Sequence, residues 1–237
     1  MTYRDFVQPS IARRSSTAEE WMRWMDQEGV LAPTSPRPEA SCERCGGAVG
    51  SYGEGDYWLT CAQCRYYSDA LDEFVPISYS TSSGLESALH RFKDFENYGW
   101  LQWPLGALLY TFLDQHRECI EDAVEGVDIA TFVPADNRER LFSPLQQVLD
   151  ALTDNPVADW FSWEPRIIAR DFATPRPRRG EEKPEAYAVN AEAVSGRSVL
   201  LLDDTWTSGG SMISSAAALK RAGARAVIGL TLGRQLN

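Results

Sequence analysis

The chain has 237 residues, of which 43% are apolar, and its 34 acidic and 23 basic side chains leave a net charge of −11. No run is apolar and long enough to span a membrane, and no secretory leader is read, so a cytoplasmic protein without a membrane role is expected. Nucleic-acid affinity comes mostly from cations meeting phosphates, so the acidic balance argues against direct DNA binding except through a local patch. In chain order, residues 1–40 read as a helix and linker. Ser16, Thr17, Glu19 and Glu20 resemble a capping box, and Trp21, Met22, Trp24 and Met25 follow on a short helix where they read as packing. Pro33, Pro36 and Pro38 mark the linker, and the first dozen residues are expected to be disordered.

Residues 41–75 carry two Cys-x-x-Cys pairs, Cys42 with Cys45 and Cys61 with Cys64. Each pair places two thiolates on one knuckle, and two knuckles complete a tetrahedral zinc site. The glycines 46, 47, 50, 53 and 55, then Tyr57, Trp58 and Leu59, fit the turns and strand of a small ribbon. Disulfides are the alternative, and they rarely persist in a reducing cytoplasm. With all four positions filled by Cys, no coordination site is left open, so the zinc is expected to be structural. Acidic side chains outnumber Arg44 and Arg65 here, so the ribbon suits a protein partner better than DNA.

Residues 76–237 read as one α/β unit of about 160 residues, a comfortable size for a single core. Helices are predicted over 84–95, 103–116 and 140–152, and strands over 127–133, 166–172, 186–190, 198–202 and 226–232. Alternation of strands and helices implies a parallel-rich sheet flanked by helices. Cys119 falls in a helical stretch and reads as a buried small hydrophobe. His90 and His116 read as ordinary surface or helix residues. The loop 173–184 is rich in proline, carries Arg176, Arg178, Arg179 and Lys183, and has no apolar anchor; it is expected to be mobile and to close on a charged ligand. The turn at Pro134, Ala135, Asp136 and Asn137 could hold a pyrophosphate through its amides.

The stretch 199–211, VLLLDDTWTSGGS, carries the most chemistry. Its first four residues are apolar on both faces, as in a strand buried within a parallel sheet. Ligands in such sheets bind beyond the carboxyl ends of the strands, where Asp203 and Asp204 fall. Adjacent carboxylates repel, and they suit the hydroxyls of a sugar or a hydrated magnesium ion. Thr205, Thr207, Ser208 and Ser211 offer hydroxyls, while Gly209 and Gly210 let backbone approach a ligand ahead of a helix whose free amides favour phosphate. The order predicts a sugar phosphate. The glycine spacing matches neither a Walker loop nor a dinucleotide fingerprint.

LLLDDTWTSGGS resembles the PRPP-binding motif of the type I phosphoribosyltransferases, with Thr205 and Trp206 standing where aliphatic residues are commoner. Joined to a cysteine ribbon, it is similar to the ComF family of competence-related proteins. The resemblance runs from Cys42 to about residue 234. It includes residues 89–95 with Lys93, the strand end at Pro134, and the stretch 179–187, where Arg179 and Tyr187 fall on a family arginine and aromatic. The family's Arg-Gly-Phe-Asn-Gln stretch is missing, since residues 138–147 read RERLFSPLQQ, and Glu182 replaces a common Asn.

The resemblance implies a type I phosphoribosyltransferase fold with an N-terminal zinc ribbon. It implies PRPP with magnesium as ligand and an unidentified acceptor. Asp203 and Asp204 would hold the ribose, residues 205–211 the 5′-phosphate, and Arg179 the leaving pyrophosphate. It equally admits a silent PRPP sensor, or a module of DNA uptake or repair that docks a helicase or single-stranded DNA. Exposed sheet edges leave a homodimer open.

Overall fold

A computed structural model describes residues 3–12, 16–34, 40–137, 143–151 and 157–235. Its centre is a parallel sheet of four strands: β1 (Glu73–Ser80), β2 (Ile129–Phe132), β5 (Ser198–Trp206) and β6 (Ala226–Gln235), in the spatial order β1-β6-β5-β2. The helices are α1 (Ala18–Gln27), α2 (Leu85–Asp94), α3 (Gln102–Ala123), α4 (Pro144–Asp150), α5 (Val157–Trp160), α6 (Ala191–Val194) and α7 (Gly210–Arg221). The apolar run of β5 is divided by the pleat. Leu200 and Leu202 join Leu89, Phe92, Leu105 and Leu109 on one face, while Val199 and Leu201 join Met212, Ala216 and Leu219 of α7 on the other. A strand covered on both sides has no use for alternating polarity, which is why its sequence shows none.

Residues 3–12 pack on the body of the protein, against the expectation of disorder. Phe6 is buried against Trp24, and Arg4 pairs with Glu28 while its backbone N–H donates to Ser87 Oγ at 2.8 Å. These contacts come from positions far along the chain, so no local pattern announces them. Helix α1 has the expected capping box, with Thr17 and Glu20 bonding each other's backbone N–H. Its Trp21 and Trp24 pack on Trp100. The linker residues 35–39 and residues 138–142, including the predicted start of the helix at Arg140, lie outside the described residues, as does Leu152.

Three other expectations are corrected. The segments around 166–172 and 186–190 do not enter the parallel sheet. As β3 (Ile168–Arg170) and β4 (Tyr187–Val189) they form their own antiparallel pair. Strand β1 has no counterpart in the sequence reading, because its polar start and Pro76 hide an edge strand. Cys119 is exposed, on the solvent side of the last turns of α3.

Candidate functional site

Strand β5 runs past the acids. Asp203, Thr205 and Trp206 stay in register with Thr231, Gly233 and Arg234 of β6, so only residues 207–209 form the turn into α7. Thr205 and Trp206 therefore belong to the strand and not to the loop. Trp206 is buried against Phe74, with ring centroids 4.3 Å apart, and it dictates the glycine after it. Gly209 has φ of 85°, and a Cβ there would stand 2.3 Å from the Trp206 ring. Any side chain would suffer both the left-handed backbone and the clash.

Residues 203–211 all line one cavity of about 320 Å³ at the carboxyl ends of the adjacent strands β2 and β5. The cavity thus gathers Asp203, Asp204, Thr205, Thr207, Ser208, Gly209, Gly210 and Ser211, the full set of predicted ligand-binding positions in this stretch. The turn 134–137 after β2 lines the same cavity, as do Lys93 of α2 and Arg176 of the basic loop.

The acids are unequal. Lys93 Nζ forms an ion pair with Asp204 Oδ2. The backbone N–H of Asp204 donates to Asp203 Oδ1 at 2.9 Å. Burial, and then the charge of Asp204, push the Asp203 carboxyl well above the usual range. Burial acts the same way on Asp204, but the Lys93 ammonium outweighs it and holds that carboxyl low. Lys93 was picked out only through family resemblance; its partnership with Asp204 spans 111 positions and no local spacing encodes it.

The basic loop is tied down. Arg170, its side chain 4% exposed, donates to Asp136 Oδ1 at 2.9 Å and to the carbonyls of Thr174 and Ala186. Asp136 also pairs with Arg176 at 2.8 Å, and the Arg176 side chain remains 70% exposed at the cavity wall. Pro177 is buried, and its Cβ would lie 3.5 Å from a Cβ at Gly210, so the loop has the apolar anchor that its composition conceals. Arg179 lies elsewhere. With the Gln63 amide oxygen turned toward it, its guanidinium donates to Gln63 at 2.5 and 3.2 Å, on the cysteine segment.

Cys42, Cys45, Cys61 and Cys64 are buried as free thiols, with their sulfurs all within 4.8 Å of one another. Hydrogen bonds from Cys42, Cys45 and Cys64 hold Cys61 well below the ordinary thiol range. Four soft donors so clustered fit a zinc ion, and a closed four-thiolate shell is a structural arrangement. Arg234, 4% exposed at the end of β6, donates to Cys45 Sγ at 3.5 Å and to the Trp206 carbonyl at 3.4 Å. A Cβ at Gly47 would stand 2.5 Å from that guanidinium, so the glycine of the cysteine segment makes room for it. Negative thiolates beside a buried cation explain how an arginine is tolerated there.

No helix among the described residues is long and apolar enough to cross a membrane. No protein-family model matches the chain, and no curated protein matches it. Among solved structures, the chain is similar to the adenine phosphoribosyltransferase of Saccharomyces cerevisiae, crystallised with an imino-altritol bisphosphate and adenine. The identity is 17%, covering 54% of this chain and 69% of that one, with a TM-score of 0.34. A likeness of that extent assigns no function, which has to come from the chemistry of the site.

Proposed function

We propose that this protein is a PRPP-binding phosphoribosyltransferase of ComF-like type, acting with magnesium on an unidentified acceptor and carrying a structural zinc. One observation carries the reading: an acidic pair and a glycine turn opening a twelve-residue helix share a single cavity with the cationic side chains Lys93 and Arg176. Asp203 and Asp204 accept hydrogen bonds from the ribose hydroxyls. The amides and hydroxyls of residues 207–211 hold the 5′-phosphate at the positive end of α7. Arg176, steadied by Asp136, faces the pyrophosphate, whereas Arg179, expected there, rests on Gln63. Magnesium, bound with PRPP, would neutralise the pyrophosphate oxygens. As the C1–oxygen bond breaks, its electron pair leaves with pyrophosphate, and the acceptor's lone pair forms the new bond to C1. The carboxylates stabilise the cationic ring in between, so no protein nucleophile is required.

A second reading, a non-catalytic module that docks a protein partner through the cysteine segment, is favoured by the exposed side chains of Tyr52, Trp58, Leu59 and Tyr66. Pyrophosphate release from PRPP across a panel of nucleobases separates the two readings. PRPP binding without release would favour the second.

Saturating PRPP and magnesium, at about 100 times the dissociation constant, should stabilise the protein by about 2.7 kcal/mol and raise Tm by roughly 5–10 °C. The variant Asp203→Asn should lose this shift. Its own Tm should hold or rise, because the neutral amide removes a charge that burial and Asp204 disfavour. Thermal scans of both proteins with and without PRPP check this, and an unshifted wild type at millimolar PRPP sinks the reading.

A further inference from the structure

We propose that the four-cysteine segment positions the phosphate-binding turn through Tyr67, making this tyrosine a positioning residue for the site. The inference rests on the PRPP reading above and names the element that shapes that site. Tyr67 lies three residues beyond Cys64 and is 5% exposed. Its hydroxyl donates to the Ser208 carbonyl at 2.8 Å and accepts from the Gly180 N–H at 3.1 Å. One side chain of the ribbon therefore joins the phosphate turn to the basic loop.

The geometry reaches the ligand through the peptide plane. A trans peptide points its C=O and its following N–H in opposite directions. Holding the Ser208 carbonyl toward Tyr67 thus aims the Gly209 N–H away from the ribbon, and Gly209 has the backbone freedom to follow. That amide is one of the donors an anion would meet at the start of α7.

Tyr67 is itself held by the metal knuckle. Its N–H donates to the Cys64 carbonyl at 3.2 Å, and Arg44 Nη1 donates to the carbonyls of Cys64 at 3.2 Å and Tyr67 at 2.7 Å. The same knuckle grips the basic loop on either side of Gly180. Gln63 meets Arg179, and the Ser68 N–H donates to Glu182 Oε2 at 2.9 Å. Metal loading of the cysteines would therefore be felt at the anion site through Tyr67.

The test uses zinc-loaded full chains of wild type, Tyr67→Phe and Tyr67→Leu. It compares zinc content, calorimetric PRPP–magnesium affinity, and amide exchange over residues 208–211 without ligand. Tyr67→Phe keeps the ring, so zinc content should hold, and the two lost hydrogen bonds should lower Tm by only a few degrees. PRPP should bind roughly three- to tenfold more weakly, the range set by loss of the one bond to the turn. Exchange at 209–211 should quicken, and it should quicken likewise in wild type stripped of zinc. If only Tyr67→Leu weakens binding, or if exchange is unchanged in Tyr67→Phe and in the stripped protein, Tyr67 is packing alone and the proposal is overturned. Failure of wild type to bind PRPP would defeat the functional reading, while the exchange experiment would still decide this one.

Discussion

Removing the proposed zinc with a strong chelator is expected to lower Tm by roughly 8–16 °C, the equivalent of about 4 kcal/mol for a ligand present at about a thousand times its dissociation constant. The cysteine segment before β1 has no regular strand or α-helix; turns, a short 3₁₀ turn and the isolated bridges Ser41–Ala48 and Ser51–Tyr57 join its backbone, and Tyr52, Trp58 and Leu59 are exposed. Without metal, four buried thiols would remain packed together beside Arg234. The loss also propagates, because Arg234 bonds the end of β5 and Tyr67 bonds the turn after it. Differential scanning calorimetry before and after chelation, with released metal titrated by a chromogenic dye, makes the measurement. A Tm that stays put while zinc is released would show that the ribbon folds on its thiols alone.

Lys93→Met should be the most damaging single change near the cavity. It leaves Asp203 and Asp204 facing each other with the ion pair gone. Breaking a fully buried pair from one side costs about 3–5 kcal/mol, and the partial exposure of this one brings the figure to about 2–3 kcal/mol, or roughly 5–10 °C in Tm. The pH dependence follows from the two shifts. In wild type the lowered Asp204 contributes stability that is present above its unfolded pKa and lost as pH falls through its folded value. The raised Asp203 acts oppositely: the folded state favours its proton, so stability is lost as pH rises from the unfolded pKa through the folded one. Without Lys93 both carboxyls take the second behaviour. The deficit of the variant should therefore be larger at pH 7 than at pH 4.5, as read by urea melts at each pH. An equal deficit at both would mean that Lys93 acts through its alkyl chain and not its charge.

The acidic strand end was legible because its parts are contiguous. Four apolar residues, two acids and a Gly-Gly turn lie within thirteen positions, and backbone geometry alone carries the acids and the turn to one cavity. The cysteine cluster was legible for a similar reason, since two short knuckles need only one closure to meet. Helix α1 announced itself through its capping box. Less visible were features whose partners lie far away. The N-terminal residues look featureless until Phe6 meets Trp24 and Arg4 meets Glu28 and Ser87. Strand β1 is paired along its length with β6, some 155 positions on, as in Glu73 opposite Ile228, and meets Ala32 through a single bridge at Tyr79. The basic loop reads as loose because Pro177, Arg170 and Tyr67 anchor it through non-local contacts.

The order of residues along the chain was enough to place the acids at a strand end, the glycine turn before a helix and the thiols in two knuckles, because each depends on neighbours within a few positions. Folding in three dimensions alone decided that Lys93 would neutralise one acid and leave the other strained, that Arg176 would line the cavity while Arg179 faced the cysteine segment, and that Tyr67 would join that segment to the turn. Charges and hydroxyls act through space, and their partners are chosen by how the layers stack, which no local pattern records.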